Sequence, residues 1–130
     1  MLPTNDITRT LFAYLATVAG LPVTYYIDSP ENPATDHLRA YILPAISVSD
    51  GLPQDSATKQ LGILQINVFV KASKGANIKS GDYIEILANA FKRGTRPSGI
   101  EFNSPPNIKT SMADNGFLMT TIDAKYTILG

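Results

Sequence analysis

The sequence predicts an α+β fold: a largely antiparallel or mixed β-sheet with two helices packed on one face, in the order α-β-β-β-α-β-β-β. Three observations carry this. Two segments, Thr4–Ala19 and Ala76–Arg93, repeat apolar residues at helical spacing. Several others alternate with the period of a strand, the longest being Gly62–Val70 and Phe117–Leu129. Clusters of Pro, Gly, Asn, Asp and Ser separate them. At 130 residues, with no repeat or linker, the chain reads as a single domain spanning 1–130.

In the first segment Ile7, Leu11, Leu15 and Val18 share one helical face, with Phe12 expected on the exposed side. Thr4 or Asn5 offers a cap at its start, and Gly20 and Pro22 stop it. Val23–Ile27 is a short β-rich run, and "DSPENPATD" after it is a loop. Leu38–Val48 is a second strand with Ala40, Ile42 and Ile46 on one side and Tyr41, Leu43 and Ala45 on the other. Pro44 has no N–H to donate, so a bulge or an edge position is expected there. Ser49–Thr58 is a polar loop, longer than a tight hairpin needs.

Gly62–Val70 follows. Leu64, Ile66, Val68 and Val70 make one wholly apolar face. Ile63, Gln65, Asn67 and Phe69 make the other, two amides between two large apolar side chains. A face bathed in water does not call for the apolar pair, and a fully buried one does not call for the amides. In the second helix Tyr83, Ile84, Leu87 and Phe91 form the inward stripe. Asn77 or Ser80 offers a cap, Lys92 and Arg93 suit the C-terminal end of the helix dipole, and Gly94 ends it. Ile100–Asn103 is a short strand. Asn107–Met112 and Phe117–Leu129 flank "DNG", a hairpin signal. In the last strand Leu118, Ile122, Ala124, Tyr126 and Ile128 face in, while Thr121, Asp123, Lys125 and Thr127 face out.

Composition narrows the function. Eleven basic and eleven acidic residues give zero formal charge, which argues against a dedicated nucleic-acid binder. Charged residues are only 17%, a composition suited to hiding surface against partners. With no cysteine there is no disulfide frame, thiolate nucleophile or cysteine-built zinc site. The start "MLPTNDITRT" is unlike a signal peptide, and no apolar run is long enough to cross a bilayer, so a soluble protein of a reducing compartment is expected, with no membrane partner.

A catalytic constellation does not emerge. His37 is the only histidine, read here as a surface residue beside Asp36 with no partner for acid–base work. Asp82 and Glu85 can share a helix face, but their setting reads as a solvated one. No phosphate-binding or nucleophile-elbow motif is present. Lys92, Arg93 and Arg96 form the most basic stretch, which reads first as helix capping and a solvated loop, without the aromatic interleaving that stacks bases. Neither a catalytic residue, a metal ligand nor a cofactor is expected.

The order of segments is similar to that of the tail terminator proteins of long, non-contractile bacteriophage tails. It runs from "LATVAGLPV" through "HLRAYILPA", "LGILQINVFVKA" and "LANAFKRGTR" to "NGFLMTTIDAKYTI", nearly the whole chain. The resemblance implies a non-enzymatic structural virion protein acting as a homohexameric ring. Such a ring caps the tail tube, stops its polymerisation and forms the interface for head–tail joining. The implied partners are further copies of the chain, the tail tube protein and the neck or connector proteins. DNA passes through the bore without sequence-specific binding. The implied place is the head-proximal end of the virion tail, after assembly in the host cytoplasm.

On this reading the candidate subunit-interface residues are Ile63, Gln65, Asn67 and Phe69, with Asp50, Gly51, Leu52, Gln54 and Asp55 of the long loop. Lys92, Arg93 and Arg96 are candidates for facing DNA or a partner. Two other readings stay open. One is another head–tail connector or tail-completion protein. The other is a small ligand- or peptide-binding domain with Gln65 and Asn67 on the floor of its site.

Overall fold

The computed structural model describes residues 4–26, 35–49, 58–94, 100–102, 104–109, 111–114 and 116–129. In chain order the elements are α1 (Thr4–Ala16), β1 (Val23–Tyr26), β2 (His37–Ser49), β3 (Thr58–Lys71), α2 (Ala76–Ala90), β4 (Ile100–Phe102), β5 (Asn107–Ile108), β6 (Met112–Asp114) and β7 (Phe117–Leu129). The expected α+β order holds, with the run at Asn107–Met112 forming two short pieces, β5 and β6. The sheet has the order β1-β2-β3-β7-β4. It is mixed, because β1 joins β2 in parallel while the other pairs are antiparallel. β7 is the hub. It pairs with β3 from Phe117 to Leu129 along one edge, and with β6, β5 and β4 in turn along the other.

Pro44 produces the bulge its chemistry demands. Leu43 sits opposite Ile63, but the next paired residue of β2 is Ile46, opposite Leu61. β1 pairs only with His37–Ala40, so at Pro44 the ladder partner among the described residues is β3, and the register with β3 shifts there.

The core lies between the sheet and the helices. Leu64, Ile66, Val68 and Val70 are all buried, as the alternation expects. They join Ile7, Leu11 and Leu15 of α1, Ile84 and Leu87 of α2, Phe91 just beyond it, and Ile122, Ala124, Tyr126 and Ile128 of β7 in one apolar cluster. The helices are tied to each other at the same level. Tyr14 Oη donates to the Ala90 carbonyl at 2.7 Å, and its ring meets Phe91 edge-on at 5.3 Å. Phe102 continues that aromatic contact from Phe91 towards Tyr126.

Some local expectations change. α1 ends at Ala16, because Thr17 and Val18 turn their N–H groups to Tyr14 and Leu15 and tighten the last turn. Gly20 then takes a φ of 85°, suited to glycine. Phe12, expected outside, packs in part against the core. α2 has Gly75 at its N-cap with no side-chain bond, so neither Asn77 nor Ser80 caps it. Ser80 is instead buried one turn in, bonded to Thr120 Oγ1 at 2.9 Å, and Ser111 bonds the same Thr120 oxygen at 2.6 Å. Thr120 thus joins the inward set of β7 as a polar member. α2 ends at Ala90, which leaves Lys92 and Arg93 beyond the helix and exposed.

Candidate interaction surface

With both helices on one side, the other face of the sheet is built from rows that cross β2, β3 and β7. The strand register sets them: His37, Phe69 and Met119; Arg39, Asn67 and Thr121; Tyr41, Gln65 and Asp123; Leu43, Ile63 and Lys125. Each candidate of β3 therefore sits in a different chemical setting.

Phe69 is already covered from within the chain. His37 stacks on it with centroids 4.6 Å apart and planes 8° from parallel, and Phe117 meets both rings edge-on at 5.3 and 6.2 Å. His37, read from sequence as a surface residue, is buried. Its Nδ1 lies 2.8 Å from the Thr35 carbonyl. Asp36, beside it, accepts the Lys71 N–H at 2.8 Å and meets Lys79 Nζ at 3.1 Å, tying the start of β2 to the end of β3 and the first turn of α2. Burial alone would raise the Asp36 carboxyl, but the Lys71 N–H and the Lys79 ammonium outweigh it and hold it below its ordinary 3.8. The same hydrogen bond holds the Lys79 ammonium above its usual range.

The amide rows are partly self-satisfied. Thr121 Oγ1 donates to Asn67 Oδ1 at 2.8 Å. Asp123, expected outward, is on this face yet buried, with Oδ2 3.2 Å from Lys109 Nζ and Oδ1 enclosed without a partner among the described residues. Gln65 lies between Tyr41 and Asp123, half-buried. The last row is the open one. Ile63 is half-buried, and beside it Leu43 and Leu61 are 38% and 39% exposed. Sequence reasoning passed over Leu61 because the alternating run was counted from Gly62. Continued by one residue, the same period places Leu61 next to Ile63.

Asp50, Gly51, Leu52, Gln54, Asp55 and Arg96 lie outside the described residues. Lys92 and Arg93 follow α2 at the opposite side of the sheet from Ile63, so the structure does not bring the two candidate groups together. A cavity of about 320 Å³ opens between α2 and the β5–β6 edge, lined among others by Asn77, Ser80, Ile84, Ile108 and Thr120. Among the described residues, no group of three His, Cys, Asp or Glu side chains is placed to hold a metal, and no helix is long and apolar enough to cross a membrane.

Fold and surface together define a small α+β subunit with an open, partly apolar sheet face. The chain belongs to the phage tail terminator family, whose model, described as phage tail terminator protein, matches residues 6–126. It is a phage tail structural protein, a component of the virion tail, and its family implies contacts with other tail and head components. A solved structure shares the fold, with a TM-score of 0.70 over 100% of this chain and 98% of its own, at 18% identity. No match was found among curated proteins.

Proposed function

We propose that this chain caps the tail tube, stops its polymerisation and presents the surface on which the head is joined, acting as a hexameric ring of single-domain subunits spanning residues 1–130. Its place is the head-proximal end of the tail, reached after assembly in the host cytoplasm, with tube protein on one side and neck proteins on the other. The observation that carries the reading is family membership over residues 6–126. The open sheet face supports it: apolar Leu43, Leu61 and Ile63 supply burial, and Gln65 and Asn67 supply hydrogen bonding at a subunit joint. Asp50, Gly51, Leu52, Gln54 and Asp55 belong to the same proposed joint by their place in the chain, and Phe69 braces it from beneath. Lys92 and Arg93, exposed past α2, face DNA in the bore or an acidic partner surface, together with Arg96.

Electron microscopy and mass measurement of the purified chain, alone and mixed with tail tube subunits, test the reading. Six-membered rings, or tubes whose growth stops when the chain is added, are expected. A protein that stays monomeric and leaves tube growth unchanged overturns it, and leaves a connector or a small ligand-binding domain as the alternative.

A further inference from the structure

Among the surfaces with exposed apolar side chains, two carry opposite charge. The first is the open row beside the bulge. Leu43 and Ile63 form its apolar part, Lys125 completes the row on β7, exposed and with no ion pair among the described residues, and Leu61 extends the apolar patch from the adjoining row, opposite Thr127. Glu101, paired with Thr127 on β4, lies in that adjoining row and is already engaged. The second is the outer side of α2. Ile78 is 73% exposed there. Asp82 and Glu85 follow it at i+4 and i+7, on the same helical stripe, both exposed and neither in an ion pair among the described residues. The remaining apolar residues of α2 turn inward or lie part-buried, so Ile78 does nothing for this subunit's core.

The two surfaces lie on opposite sides of the sheet and cannot meet within one chain. A second copy brings them together. Charge favours this occupant: one surface is apolar with an ammonium that has no ion pair among the described residues, the other apolar with two carboxylates that have none among them. Apolar contact at the centre, with opposite charges beside it, gives both burial and register. The contact is heterologous, so it repeats head to tail and closes into a ring where the rotation allows. We infer that the outer stripe of α2 (Ile78, Asp82, Glu85) seats on the open sheet patch (Leu43, Ile63 and Lys125, with Leu61 of the adjoining row) of the next copy. The inference rests on the ring reading above and names its joint.

The absence of cysteine makes a clean test possible. A chain carrying Leu61→Cys and Ile78→Cys is oxidised mildly and resolved by non-reducing electrophoresis. The expected result is a ladder of disulfide-linked dimers, trimers and higher species. Ile78→Cys with Ile108→Cys, both on the α2 side of the sheet, serves as the control and gives markedly less. Lys125→Glu in the first pair lowers the ladder, and adding Asp82→Lys and Glu85→Lys restores it. A ladder no stronger than the control overturns the joint. Rings seen by microscopy without such a ladder leave the ring reading standing and remove this joint. A ladder from a protein that leaves tube growth unchanged supports the joint and removes the capping reading.

Discussion

A β-carbon at Gly62 would run into the hydroxyl end of Tyr126, which lies directly across on β7. The glycine lets the large ring lie over the strand and complete the core. Gly62→Ala is therefore expected to destabilise the fold by about 1–3 kcal/mol, the usual cost of overpacking, measured by denaturant unfolding. Tyr126 itself carries a buried hydroxyl with no hydrogen-bond partner among the described residues. Leaving such a group unpaired costs about 1–3 kcal/mol, so Tyr126→Phe is expected to be neutral or stabilising in the same measurement. Burial also raises the Tyr126 pKa above 10.0. A raised value means the fold holds its proton more tightly than the unfolded chain. The associated stability is present below pH 10 and is lost as pH rises further, a dependence the phenylalanine variant should lack.

At the scale of elements, the Asp36 contacts fasten β2, β3 and α2 to one another. Because its folded value lies below 3.8, its contribution is complete above that pH and is lost as pH falls through the folded value. Asp36→Asn keeps an acceptor for the Lys71 N–H but removes the charge. Thermal unfolding should show the variant below wild type at pH 7, with the gap closing as pH falls below 3.8. The elements themselves were readable where local chemistry decides them. Apolar spacing placed both helices, alternation placed β3 and β7, and the missing N–H of Pro44 placed the bulge. The stack of His37, Phe69 and Phe117 was not readable, because it depends on how three strands align and alternation carries no register information. The same gap hid the burial of Asp123, which needs Lys109 of a neighbouring segment beside it.

At the scale of the molecule, the open sheet face divides into a part that holds the fold and a part available to a partner. Phe69→Asp is expected to unfold the subunit, since it places a charge inside the aromatic stack. Leu61→Asp, on a side chain 39% exposed, should leave the circular dichroism spectrum and unfolding midpoint near wild type while abolishing rings or tube capping. If Leu61→Asp assembles as wild type does, that row is not an interface. Phe69 is apolar for His37 and Phe117, and Asn67 is polar for Thr121.

The position of β7 as hub bears on synthesis. Phe117–Leu129 emerges from the ribosome after every other described strand, yet among the described residues β4, β5 and β6 have no other partner in the sheet, and β3 is paired on only one side until it arrives. Most of its pairings join residues far apart in the chain, which makes the closing step slow compared with helix formation. A nascent or prematurely terminated chain therefore lacks the completed sheet and, with it, Lys125 and the finished open row. Under the proposed joint, an unfinished copy lacks the surface on which the next subunit would seat.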